Sequence, residues 1–224
     1  MNINNFSKLQ NYIFRYFIFF LGLMINSFGI AFITKSSLGT SQISSIPYIF
    51  SLYFSNISFG TFTFLLNTIF IIIQILLLKK NFHPIQLLQF LANIVFSILI
   101  DVSMLILNSF TPQSFIMRFI SLILGCCILA FGISLEVSPN VIVVPGEGIV
   151  RVIAKVTAKK FGSIKIYFDT ILIIIAGIFS FLFFHQLKGI GIGTIISALI
   201  VGKIVNIINA HFPLIQTLQR KYTN

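Results

Sequence analysis

The run YIFRYFIFFLGLMINSFGIAFI, residues 12–33, holds a single charged residue, Arg15, in a stretch long enough to cross a bilayer. About 20 apolar residues are needed for that, and a helix suits the task because it satisfies its own backbone where no water can. A second run, IMRFISLILGCCILAFGISLE at residues 116–136, reads in the same way and again carries an Arg near its start. Placed 103 positions apart, Arg15, Leu21, Gly22, Ile25, Phe28, Gly29 and Ile30 meet Arg118, Leu124, Gly125, Ile128, Phe131, Gly132 and Ile133. Self-similarity of this kind is worth settling before any fold is named.

Four more runs have the same character: Ser58–Leu78, Ile85–Asn108, Ile164–Phe184 and Ile190–Ala210. Together the six predict an all-α membrane protein, a single polytopic domain over residues 1–224. Composition agrees: 57% of residues are hydrophobic, 8% are charged and the mean hydropathy is +1.04, which excludes a soluble globule. The first run is expected to stay in the mature protein, since it is long, lacks a small-residue cleavage site and is followed by five similar runs.

The net charge of +11 would suggest nucleic acid in a soluble protein, but here the basic residues lie between apolar runs. They are topology determinants and contacts for membrane lipids, and no nucleic-acid partner is expected. Lys8, Arg15, Lys79, Lys80, Arg151, Lys155, Lys159, Lys160, Lys165, Arg220 and Lys221 fall on one side, and Lys35, Arg118 and Lys188 on the other. That bias predicts a multi-pass protein of the bacterial inner membrane with both termini cytoplasmic.

The internal match resumes at a shift of 102, where Phe59-Gly60 meets Phe161-Gly162, Thr68-Ile69 meets Thr170-Ile171, and Phe82-His83 meets Phe184-His185. Two repeats of three spans, about 12–108 and 115–210, must sit in opposite orientations, as in many transporters.

Each repeat is broken after its first span. Thr34 to Gln42, including Gly39, Thr40 and Ser41, precedes a short helix over Ile43–Phe54. Ser138-Pro139-Asn140 and Pro145-Gly146-Glu147-Gly148 precede a second over Ile149–Lys160. Neither spans a bilayer comfortably, so each is expected to be re-entrant or interfacial. Arg151, Lys155 and Lys159 recur every four residues and are expected to share one stripe facing lipid headgroups.

At these residues the sequence resembles the YczE/YyaS/YitT group of bacterial integral membrane proteins. The likeness rests on Leu38-Gly39-Thr40-Ser41 with Ser58-Phe59-Gly60 and Asn67, then on Val144-Pro145-Gly146-Glu147-Gly148 with Phe161-Gly162-Ser163-Ile164-Lys165 and Asp169. Gly191-Ile192-Gly193-Thr194 running into Gly202-Lys203 completes it. The resemblance implies a multi-spanning membrane protein of undefined activity.

The four acidic residues, Asp101, Glu136, Glu147 and Asp169, sit within spans or at their broken ends. An ionisable group at membrane depth is costly and marks a candidate ion or substrate path. At the shift of 102, Asp101 corresponds to Lys203 and Asn67 to Asp169. Asp101 and Lys203 are expected to approach each other, either as a register-fixing ion pair or as a coupling site. Lys165, one turn before Asp169, is placed to neutralise it. Glu147 is placed either to bind a cation or proton, or to favour its helix start. Glu136, near a span end, is expected to be solvated.

The adjacent Cys126 and Cys127 read as packing residues, and His83, His185 and His211 are isolated. No enzyme motif or metal-ligand set emerges, so neither catalysis nor a cofactor is expected. The expected function is small-solute transport, with a small molecule or ion as substrate. The alternatives are an accessory membrane protein or the membrane subunit of an ATPase-driven importer. Oligomeric state is open.

Overall fold

The computed structural model describes residues 3–81 and 84–223, with side chains from 10–80 and 85–222. The Phe82-His83 landmark and the Lys8 side chain therefore lie outside the described residues. The helices are α1 (Ile3–Lys35), α2 (Gln42–Tyr53), α3 (Phe59–Leu78), α4 (Leu88–Ile106), α5 (Phe115–Val137), α6 (Pro145–Thr157), α7 (Phe161–Phe184), α8 (Ile192–His211) and α9 (Pro213–Thr223). Among the described residues there is no strand. Six helices are long and apolar enough to cross a membrane, α1, α3, α4, α5, α7 and α8, with α4 extended backward to Ile85.

Local chemistry sets several of the boundaries. The Ser58 side chain accepts from the Thr61 amide to start α3, and Ser114 does the same from Met117 to start α5. α6 starts on Pro145, whose missing N–H costs nothing in a first turn, and ends at Ala158 in the left-handed region with φ 52°. The Pro-Gly-Glu-Gly stretch is thus the first turn of α6, not a frame ahead of it. Lys159 lies beyond the cap and off the helix, so the expected three-residue stripe is reduced to Arg151 and Lys155.

α1 and α5 form the central pair, and glycine determines how closely they cross. A Cβ at Gly22 would meet the nitrogen of Glu136 at 2.4 Å, at Gly29 that of Leu129 at 2.5 Å, at Gly125 that of Ile33 at 2.8 Å, and at Gly132 that of Asn26 at 2.4 Å. The partners run in reverse order, so the helices are antiparallel, and absence of side chains at these points lets backbone meet backbone. Gly22 with Glu136 and Gly125 with Ile33 exchange places on adding or subtracting 103, and so do Gly29 with Leu129 and Gly132 with Asn26.

Around this pair α4 packs on α1 and α8 on α5, while α2 lies against α7 and α6 against α3. Phe19, Leu23, Ile33, Ile100, Leu122 and Cys126 build the main core. Ile166, Ile171, Ile174 and Ile178 of α7 and Leu199 of α8 are exposed, as suits surface that lipid covers.

α9 is an element the hydropathy runs do not reveal. Its Ile215, Leu218 and Tyr222 pack on Ile18 and Leu135, at the start of α1 and the end of α5. Tyr222 Oη donates to Asn11 Oδ1 at 2.8 Å, and the Arg15 guanidinium lies 5.0 Å from the Tyr222 ring centre. Arg15 also donates to the carbonyls of Pro139 at 2.9 Å and Asn140 at 2.7 Å, binding α1 to the connection after α5.

Candidate functional site

The break between α1 and α2 is folded against the start of α8. Gly39 has φ +131°, where an L side chain is strained, and a Cβ there would also meet Thr194 Oγ1 at 2.4 Å. The Gly193 amide donates to the Leu38 carbonyl at 2.8 Å and the Thr40 amide to Thr194 Oγ1 at 3.2 Å. Gln42 Nε2 reaches the Thr194 carbonyl and Ser197 Oγ, at 3.4 and 3.3 Å. Ser41 Oγ donates to Ser44 Oγ at 2.8 Å. Gly39, Thr40 and Ser41 are all buried, so this irregular backbone is satisfied by protein.

The break between α5 and α6 meets the end of α3 and the start of α4 instead. Gly148 lies against Gln74 and Gln89, whose amide atoms a Cβ would approach to 2.9–3.1 Å, and Gly146 faces Ile43 and Asn67. Gln74 Nε2 donates to Gln89 Oε1 at 3.2 Å and to the Pro145 carbonyl at 3.3 Å. Asn67 Nδ2 donates to Asn93 Oδ1 at 3.0 Å, and Asn93 Nδ2 to the Phe64 carbonyl at 3.0 Å. α2 and α6 are both packed among the longer helices, not laid on the outside.

Beside each break is a cavity. One, of about 400 Å³, is lined by Leu38, Gly39, Tyr48, Leu52, Lys188 and Gly189 among others. The other, of about 240 Å³, has in its wall Val141, Ile142, Arg151, Lys155, Ile85 and Gln86, together with Gln74, Gln89 and Gly148. Taken in these orders, the first six residues of the two walls differ in number by 103. The first cavity is at the C-terminal end of α1 and the second at the C-terminal end of α5, and since those helices are antiparallel the cavities open at opposite ends of the bundle. Arg151 and Lys155, which their spacing alone would set against lipid headgroups, line the second cavity.

Glu136 corrects the expectation of a solvated span end: it is only 1% exposed. Asn26 Nδ2 donates to its Oε2 at 2.8 Å across the α1–α5 crossing. The Val144 backbone faces the same carboxylate, and Glu147 and Arg151 act on it electrostatically. Its Oε1 has no hydrogen-bond partner among the described residues.

The other sequence candidates disperse. Asp101 accepts from the Ser58 hydroxyl at 2.6 Å and the Gly60 amide at 2.7 Å, which makes it a cap for the start of α3. Lys203 is exposed on α8, and the expected pair with Asp101 does not form. Asp169 is held by Lys165 at 2.8 Å, as the four-residue spacing predicts. Asn67 is buried beside the second break, and Glu147 is half-buried in the first turn of α6. Asn26, Gln74 and Gln89 escaped sequence reasoning, while Gln42 and Thr194 were read only as parts of a break and of a motif. The available signal was a lone amide inside an apolar run, as in Ile71-Ile72-Ile73-Gln74-Ile75.

Residues 13–210 match the description "Family of unknown function (DUF6198)". No curated protein and no solved structure matches the chain.

Proposed function

The chain belongs to that family of unknown function, and we propose that it is a small-solute membrane transporter or permease built from two inverted repeats. The observation that carries this reading is the pair of cavities, open at opposite ends and walled by residues 103 positions apart. A structure that merely anchors or fills a membrane has no need of two such openings, whereas alternating access needs an approach from either side. The glycine contacts between α1 and α5, which exchange under the same interval, support the inverted arrangement.

In this reading the α1–α5 crossing is the rigid axis, because its backbone-to-backbone fit leaves no slack. α2 and α6, each attached through an irregular break, are the elements that gate the two cavities. Buried amides and hydroxyls, Asn67 with Asn93 and Gln42 with Ser197, form the polar septum between them. A membrane position with both termini cytoplasmic, and kinship with the YczE/YyaS/YitT group, belong to the same proposal.

The test is reconstitution in liposomes with a panel of labelled amino acids, organic acids and sugars under proton and sodium gradients. Accumulation of one class, abolished by closing a cavity with Gly148→Leu, supports the reading. Absence of movement for every class, with folded protein, opposes it.

A further inference from the structure

We propose that the cavity beside α6 is an oxyanion site, which holds a carboxylate or phosphate group between Arg151 and Lys155. Its wall carries those two cations and, among the described residues, no carboxylate. The cations lie one helical turn apart on α6 and so reach the same opening. Neither has an ion-pair partner: the ion pair found among the described residues joins Lys165 to Asp169 on α7. Of the other carboxylates, Asp101 is bonded to Ser58 and Gly60, Glu136 to Asn26, and Glu147, one turn before Arg151, makes no ion pair with it.

The chemistry of the wall matches such a group. A guanidinium meets a carboxylate or phosphate through two parallel N–H donors, and an ammonium beside it adds a point charge. Deeper in, Gln74 and Gln89 are 1% and 5% exposed and joined at 3.2 Å, so amide groups, which carry no net charge, line the enclosed end. Ile142 and Val152 supply apolar wall for a short carbon chain. A volume of about 240 Å³ is below the roughly 300–1,000 Å³ of sites for drug-sized ligands, so the ligand is small. Lys79 and Lys80 directly follow Leu78 of the wall in the chain, which keeps this end of the bundle positive and draws anions to it.

The equivalent cavity lacks the pair. The residues 103 positions before Arg151 and Lys155 are Tyr48 and Leu52, and its own cation, Lys188, lies 4.8 Å from the centre of the Phe184 ring. Anion binding is therefore a property of one side only. That the bound anion is also the transported solute rests on the transporter reading, while binding itself does not. A soluble organic anion and a lipid headgroup present the same phosphate chemistry, and the lipid used in the test separates them.

Isothermal titration of the full chain in phosphatidylcholine nanodiscs tests it, with inorganic phosphate, lactate and succinate as probes, succinamide as the uncharged control and ionic strength held constant. Saturable binding of at least one of the three anions, and none of succinamide, is the expected result. Arg151→Gln and Lys155→Gln should each weaken it about tenfold or more, the cost of a lost hydrogen bond to a charged group. Lys188→Gln, at the other cavity, should leave it unchanged. Arg151 and Lys155 are exposed, so both variants should fold, and either one alone decides. Adding phosphatidylglycerol assigns the source: competition with the free anions points to a lipid phosphate, and no competition to a soluble one. No saturable binding of any probe anion, equal binding of succinamide, unchanged affinity in the two variants, or an equal loss in Lys188→Gln overturns the proposal. Anion binding without movement of any solute in liposomes would leave the site standing and remove the transporter reading.

Discussion

Gly22 of α1 lies so close to Glu136 of α5 that a Cβ on the glycine would come within 2.4 Å of the glutamate nitrogen. The contact does two things at once. It brings the α1 and α5 backbones together, and it seals the glutamate away from lipid and water, leaving Asn26 as the side chain that bonds it.

The crossing should therefore fail sharply when filled. Gly29→Leu and Gly132→Leu place side chains where backbone stands 2.4–2.5 Å from a Cβ, and each should lower thermal stability by about 1–3 kcal/mol or prevent folding. Gly177→Ala and Gly202→Ala, where nothing lies within 4 Å of a Cβ, should leave melting in detergent unchanged.

Asn26→Leu removes the donor to Glu136 and should destabilise by about 1–3 kcal/mol, the usual cost of stranding a buried polar group. Adding Glu136→Leu should recover part of that loss, since both desolvation costs then disappear. A double variant less stable than the sum of the two single changes would contradict the pairing.

Asp101→Ala should cost about 0.5–2 kcal/mol, because it strips acceptors from Ser58 and Gly60 at the start of α3. Lys203→Met should have little effect on stability, and the double variant should be additive within error. Coupling between the two positions in thermal melts would revive an ion pair that the geometry does not contain.

Gly39→Ala should destabilise more than Gly162→Ala. The first combines a φ of +131° with a clash on Thr194, and the second has open space around it. Thermal melts of the two variants compare them directly.

The spans were legible because lipid imposes a length and a polarity: the Phe59–Leu78 helix starts one residue after the run read from sequence. Less legible was everything that depends on what a segment meets. Pro145-Gly146 reads as a turn until its place in a first helical turn is known, and α9 is too polar along its length to register as apolar. Glu136 reads as a solvated end, and only the close crossing with α1 at Gly22 and Asn26 shows otherwise.

Asp101 and Lys203 went wrong for a geometric reason. The start of α8 bonds to Leu38 after α1, whereas Gln89 at the start of α4 meets Gly148 after α5. α4 and α8 therefore run in opposite directions, and residues toward their C-terminal ends point to opposite ends of the bundle. Equivalent positions of an inverted pair meet only near the axis.

In the proposed transporter the two equivalent cavities face opposite sides of the membrane. That arrangement is tested most directly by Tyr48→Cys and Arg151→Cys, each in a background lacking Cys126 and Cys127 and probed with a membrane-impermeant thiol reagent in oriented vesicles. The two cysteines should label from opposite faces, Arg151→Cys from the cytoplasmic one. Labelling of both from the same face would contradict it.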